Sequence, residues 1–121
     1  MDVEVGQEWS FKTDRFTENS VIIHHIQPFG EDLTSVHVTI KGAVRVSEDN
    51  SMNFGHFPFE IEAFKSSLKE LLGLSNDGHD TFNEGYKYWK NNNGGVFTVS
   101  IDDAIQTIVE TNLDPDRVIE E

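Results

Sequence analysis

Five histidines, His24, His25, His37, His56 and His79, are the side chains of this 121-residue chain best suited to chemistry near neutral pH. Neutral imidazoles bind metals, and the 22 Asp and Glu offer further ligands. The spacing does not assemble them. No two histidines stand four apart, no His-Glu-x-x-His occurs, and there is no cysteine to supply a thiolate. His24 and His25 are neighbours on an extended stretch, so their rings are expected on opposite faces and only one can join a given site. No metal site and no cofactor is expected. His37 and His56 are the strongest catalytic candidates, because both lie on extended segments near glycines, where a pocket can form. A nucleophile would come from Ser10, Thr13 or Thr39, none of them in a Gly-x-Ser-x-Gly elbow. A histidine base would also need an orienting carboxylate. The acid pairs Glu31-Asp32 and Asp102-Asp103 read as a loop and the first turn of a helix. Gly94-Gly95 ends a helix before a strand, the reverse of a phosphate-cradling loop.

The aromatic residues Trp9, Phe11, Phe57, Phe59, Phe64, Tyr86 and Trp89 read chiefly as packing. Tyr86 and Tyr88 are about 200° apart on a helix, so Tyr88 is expected to face solvent. Tyr88, Trp89, Asp102 and Asp103 form the candidate binding set.

The elements that position these residues follow from hydrophobic period. Residues 3–13 alternate, with Val5, Gln7, Trp9, Phe11 and Thr13 on one face. Residues 20–29 make a second strand that Pro28 ends or marks as an edge. Val36, Val38 and Ile40 alternate with His37, Thr39 and Lys41 in a third strand over residues 35–46, interrupted at Gly42. Met52–Phe59 is a fourth extended segment, with Phe54, His56 and Pro58 on one side. Polar connections lie at Asp14–Asn19 and Ser47–Ser51. Ile61, Phe64, Leu68, Leu71 and Leu72 fall on one helical stripe, predicting a helix over Ile61–Leu72 that stops at Gly73. Thr81-Phe82-Asn83-Glu84 has the form of a capping box opening a second helix, which Asn91–Gly95 ends. Val96–Val99 is a short strand. Ser100 caps a last helix with Ala104, Ile105, Ile108 and Val109 inward, and Asp114-Pro115-Asp116 breaks it.

The fold class expected is α+β: an antiparallel sheet of four to five strands with about three helices packed on one face. Residues 1–113 form a single domain, and residues 114–121 a flexible C-terminal tail.

Several short stretches recur in order: Gly6-Gln7-x-Trp9-x-Phe11-Lys12-Thr13, Val36-His37-Val38, Gly55-His56-Phe57-Pro58-Phe59, Glu84-Gly85-Tyr86-x-x-Trp89-Lys90 and Gly95-Val96-Phe97-Thr98-Val99. The ordered set resembles a widespread family of short bacterial proteins of unknown function, over about residues 4–112. Those proteins tend to carry Arg directly after the first-strand Thr, where this chain has Asp14 and then Arg15. The resemblance implies one compact bacterial domain and brings no activity with it.

Charge narrows the partners. The net charge is −13, with ten acids and four bases in residues 1–60 and twelve acids and five bases in residues 61–121. Such a chain is not expected to bind nucleic acid, which needs clustered Lys and Arg. No apolar run reaches the ~18 residues of a membrane span, and Met-Asp-Val-Glu-Val-Gly is no signal peptide, so a cytoplasmic protein is expected. Three readings follow. The first is a non-catalytic protein-binding module, an inhibitor or immunity-like partner of a basic protein. The second is a small enzyme or ligand binder with a His37/His56 pocket. The third is an oligomeric structural protein, a homodimer in which an edge strand pairs across a two-fold axis.

Overall fold

Alternating burial builds the N-terminal half of the protein. In this computed structural model, which describes residues 3–13, 20–45 and 51–111, strands β1 (Gln7–Phe11), β2 (Ser20–Phe29), β3 (Leu33–Arg45) and β4 (Ser51–Glu60) follow one another as a meander. A fifth strand, β5 (Leu68–Leu74), pairs with β1. The sheet runs β4-β3-β2-β1-β5, and every neighbouring pair is antiparallel. Helices α1 (Ile61–Ser66), α2 (His79–Asn91) and α3 (Ile101–Thr111) complete an α+β fold.

Of the face expected inward on the first strand, Trp9 is 7% and Phe11 0% exposed, but Val5 is 57% exposed and Gln7 and Thr13 are half-buried; on β3, Val36, Val38 and Ile40 are all 0% exposed. Trp9, Phe11, Val36, Val38 and Ile40 form the main core with Val21, Ile23, Phe54, Phe57 and Phe59. That core is closed by Phe64 of α1, by Leu68, and by Ile101, Ala104, Ile105 and Ile108, which recur along α3 at helical spacing. Pro28 sits within β2 rather than ending it, pairing with Thr34, at the end of the strand that β1 does not reach.

Helix α2 lies elsewhere. Its Phe82 and Trp89 are buried, but against His24, His37 and His56 rather than against this core. The helices are therefore divided between the two faces of the sheet, α1 and α3 on one and α2 on the other, where one covered face was the expectation. The strands explain this: β2, β3 and β4 carry bulky or aromatic side chains on both faces, and each face needs a cover.

The stretch after β4 departs furthest from its helical period. Glu60 starts α1 by accepting hydrogen bonds from the N–H groups of Glu62 and Ala63. The helix stops at Ser66, and the chain becomes β5 instead of continuing to Leu72. Phe64 and Leu68 are 0% and 3% exposed, but Leu71 and Leu72 are 52% and 53% exposed. Pairing with β1 outweighs helix propensity here. The Lys12 N–H bonds the Ser67 carbonyl, Phe11 pairs Leu68, and Trp9 pairs Leu71. A bulge lies between those last two pairs, where Ser10 Oγ accepts from the Glu70 N–H at 3.0 Å. It places residues three apart on one face, which imitates a helical stripe.

Two smaller boundaries also move. Helix α2 opens at His79, two residues before the expected Thr81 cap, with Gly78 at φ 78° as N-cap and no side-chain cap. Val96–Val99 is reduced to one parallel bridge, Phe59 to Phe97, flanked by hydrogen bonds from the Glu60 N–H to the Phe97 carbonyl and from the Phe97 N–H to the Pro58 carbonyl. The Asp14–Asn19 connection, most of the Ser47–Ser51 loop, the Asp114–Asp116 break and the 114–121 tail lie outside the described residues. Among the described residues no helix is long and apolar enough to cross a membrane.

Two truncations separate the strand from the helix over residues 67–74. Phe64→Ala should cost about 3–5 kcal/mol of stability. Leu72→Ala should change it by no more than about 0.5 kcal/mol in dilute protein. Urea denaturation of both variants measures the difference; a large loss at Leu72 would contradict the placement of β5.

Candidate functional site

Two β-bulges gather the histidines beneath α2. Between β2 and β3 the register steps from Ile23↔Val38 to His25↔His37, so two residues of β2 advance against one of β3. Both rings then reach the α2 face. His24 lies against Phe82 (ring centroids 4.4 Å apart) and His79 (5.7 Å), and His25 against Tyr86 (5.1 Å) and His37 (5.9 Å). The expected opposite facing of His24 and His25 is thus overturned by the bulge. Between β3 and β4 the register steps from Val38↔Phe57 to Ile40↔Phe54. The extra residue at Gly55-His56 returns Phe54 to the core face with Phe57 and Phe59, and leaves His56 beside His37. Gly55 is also where α2 comes close, since a Cβ there would stand 2.4 Å from Thr81 Cγ2.

Hydrogen bonding assigns the protons in this layer. His37 Nε2 is 2.9 Å from Ser35 Oγ, and His37 Nδ1 is 2.8 Å from His56 Nε2. Ser35 Oγ donates to the Gln27 carbonyl at 3.2 Å, so its one hydrogen is committed. His37 Nε2–H therefore donates to Ser35, His37 Nδ1 accepts, and His56 Nε2–H donates to it. By the same reasoning Thr39 Oγ1 donates to the Gly55 carbonyl and accepts from His24 Nε2–H, each at 2.9 Å. Gln27 Oε1 accepts from Tyr86 Oη at 2.8 Å and from His25 Nε2 at 2.6 Å. Trp89 closes the layer edge-on to His37, centroids 4.5 Å apart, with its Nε1 donating to the Gly95 carbonyl at 2.8 Å. His79 stands at the exposed rim, its Nε2 3.1 Å from Asn83 Nδ2. Among the described residues every buried side-chain polar atom has a partner.

Burial, then the neighbouring His56 and His25, pulls the His37 pKa from 6.5 down to about 2. Burial and His79 bring that of His24 down to about 4, against an opposing hydrogen bond with the Asp77 backbone. Both rings are neutral at physiological pH, as the acceptor role of Nδ1 requires for His37.

His37 and His56, paired as catalytic candidates, are indeed brought together, but they are 0% and 3% exposed. The hydroxyl bonded to His37 gives its proton to a carbonyl, the wrong polarity for an activated nucleophile. Ser10 and Thr13 lie at β1, bonded to Glu70 and Asp102. Among the described residues no three His, Asp or Glu are grouped to hold a metal ion.

The binding set divides. Tyr88 is 39% exposed on α2, but Trp89 is 5% exposed because its indole fills the space between α2 and the sheet; it is a packing residue, not a surface contact. Gly94 makes room for it, since a Cβ there would stand 2.1 Å from Trp89 Cδ1. Asp102 and Asp103 begin α3 across the sheet from Tyr88. They line a cleft of about 340 Å³ with Lys12, Thr13, Ser66, Ser67 and Ser100, and Thr13 donates to Asp102. The sequence reading overlooked Gln27 and Ser35, which orient the histidines. Their signal is the polar alternation Ser35, His37, Thr39 opposite an aromatic helical stripe, Phe82, Tyr86 and Trp89.

No protein-family model, no curated protein and no solved structure matches this chain.

The lowered pKa values set a pH dependence. An unfolded histidine titrates near 6.5, whereas native His37 and His24 take up a proton only well below that, so the unfolded chain binds more protons between those values. Stability is complete above about pH 6.5 and is lost as pH falls, by about 1.4 kcal/mol per pH unit for each fully neutral buried ring. Urea midpoints between pH 7.5 and 5 should drop accordingly. His37→Gln should be less stable at pH 7.5 yet show a shallower fall; an unchanged slope would refute the assignment.

Proposed function

We propose that this protein is a non-catalytic binding protein that recognises a basic protein partner, in the manner of an inhibitor or immunity protein. The reading is carried by a contrast of placement. The side chains best suited to catalysis, His37 and His56, are sealed under α2 and hydrogen-bonded to each other, while a net charge of −13 is spread over both halves of the chain. Glu31, Asp32, Glu62, Glu70, Asp77, Asp80, Glu84, Asp103 and Glu110 are all exposed. A surface on which acids far outnumber bases raises the encounter rate with an oppositely charged protein and repels nucleic acid. The Asp102/Asp103 cleft offers carboxylates and hydroxyls to an incoming Lys or Arg side chain.

The pocket reading keeps one supporting observation, the 2.8 Å contact of His37 with His56. It requires α2 to lift before any ligand meets those rings.

Affinity capture on the immobilised protein from cell extract at about 0.05 M and about 0.5 M NaCl, followed by titration of the purified captured protein, tests the proposal. A basic protein should be held at low salt and released at high salt. Asp102→Lys/Asp103→Lys should weaken its binding at least about tenfold. His37→Gln should leave it unchanged. A partner that survives high salt, or no basic partner at low salt, would count against the proposal; binding lost in His37→Gln with the fold intact would favour the pocket.

A further inference from the structure

All five histidines of the chain belong to the α2 side of the sheet. His24, His25, His37 and His56 lie beneath α2, and His79 stands in its first turn. The core on the other side, closed by α1 and α3, contains no titratable side chain and no residue of α2. Phe82 and Trp89 therefore rest on rings that can gain a proton, whereas Phe64, Ile101 and Ile105 rest on carbon that cannot.

Charge in this layer finds no ready counterpart. His25 of β2, His56 of β4 and Tyr86 of α2 face His37, and Ser35 and Trp89 beside them are uncharged. His79 of α2 faces His24, His56 acts on it from β4, and Asp77 touches it through the backbone. The Asp77 carboxylate instead meets Lys41 at 3.5 Å, and Lys41 meets Glu8 at 3.4 Å. On α2 itself Asp80, Glu84, Lys87 and Lys90 are exposed. A proton added to His37 or His24 thus faces other imidazoles, so each proton opposes the next. Lifting α2 returns the rings to water, where each is free to charge. Gly78 and Asn93, both at positive φ, bound the helix, and such end positions let a segment swing as a unit.

We propose that α2 is an acid-released helix: as the imidazoles beneath it take up protons it lifts from the sheet as one unit, while the sheet and the core under α1 and α3 stay folded. The device stands whether or not a basic partner binds. Its pH range follows from linkage. His37 and His24, lowered to about 2 and about 4 when α2 is docked, return toward 6.5 when it is released. The released state therefore binds more protons below pH 6.5, so docking is strongest above that pH and weakens as pH falls. Each ring raises the opening constant up to about tenfold per pH unit, and both together up to about hundredfold. The His24 share ends near pH 4, where that ring titrates even when docked.

The two tryptophans report the two sides, since Trp9 is buried in the core and Trp89 under α2. Between about pH 7.5 and about pH 4.5, Trp89 emission in a Trp9→Phe variant should move to longer wavelength, and Trp9 emission in a Trp89→Phe variant should stay constant. Hydrogen exchange of the wild-type chain gives a readout that needs neither variant. Corrected for intrinsic rates, protection of the His79–Asn91 amides should fall by up to about hundredfold per pH unit, with that of residues 36–40 and 101–108 retained. His37→Gln should make the α2 dependence shallower. Protection lost together in α2 and α3, α2 protection independent of pH, or an unchanged dependence in His37→Gln would overturn the proposal.

Discussion

An imidazole can be buried only if it stays neutral and its ring nitrogens find partners, and the second face of this sheet is assembled under that constraint. His37 satisfies it through Ser35 on one side and His56 on the other. Ser35 in turn depends on a main-chain carbonyl at Gln27, and Gln27 uses its side chain to hold His25 and Tyr86. Phe82 and Trp89, the buried residues of α2, rest on rings kept in place by this network. The helix is therefore held by a polar layer as much as by apolar contact, and its attachment is tied to the protonation state of that layer.

The bulges are what make the layer possible. A regular β2 would send one of His24 and His25 into the apolar core, where a ring beside Val21 and Ile23 would have no polar partner. A regular β4 would put Phe54 on the histidine side and break the row it forms with Phe57 and Phe59. One extra residue in each strand resolves both conflicts, and the two irregularities face each other across β3.

Much of the fold is legible in the residues, and the failures have physical causes. Strong two-residue periods over Trp9–Phe11 and Val36–Ile40 place their faces correctly because one side of each strand is apolar. The α3 helix is equally plain, since Ser100, Asp102 and Asp103 at its start agree with Ala104, Ile105 and Ile108 along it. The Ile61–Leu72 stripe misleads because a bulged strand and a helix can bring the same residues to one side, and only the presence of β1 decides between them. Of the candidate site, the pairing of His37 with His56 is anticipated by their place on extended segments near glycines. The adjacency of His24 and His25 is not, because a bulge carries no reliable signature in one sequence. Trp89 is ambiguous for another reason: its position on α2 suits a core-facing residue, but which face of the sheet it meets is a tertiary fact.

Only 36% of the residues are hydrophobic, which suggests a thin interior. The burial of Ser35, His37, Thr39 and His56 shows why that inference falls short. Hydroxyls and imidazoles form part of the inside of this protein, so an inventory of greasy side chains understates how much of the chain is sheltered from water. A search for relatives that looked for conserved oiliness at those positions would discard true members, whereas one that tolerated small donors and ring nitrogens there would keep them.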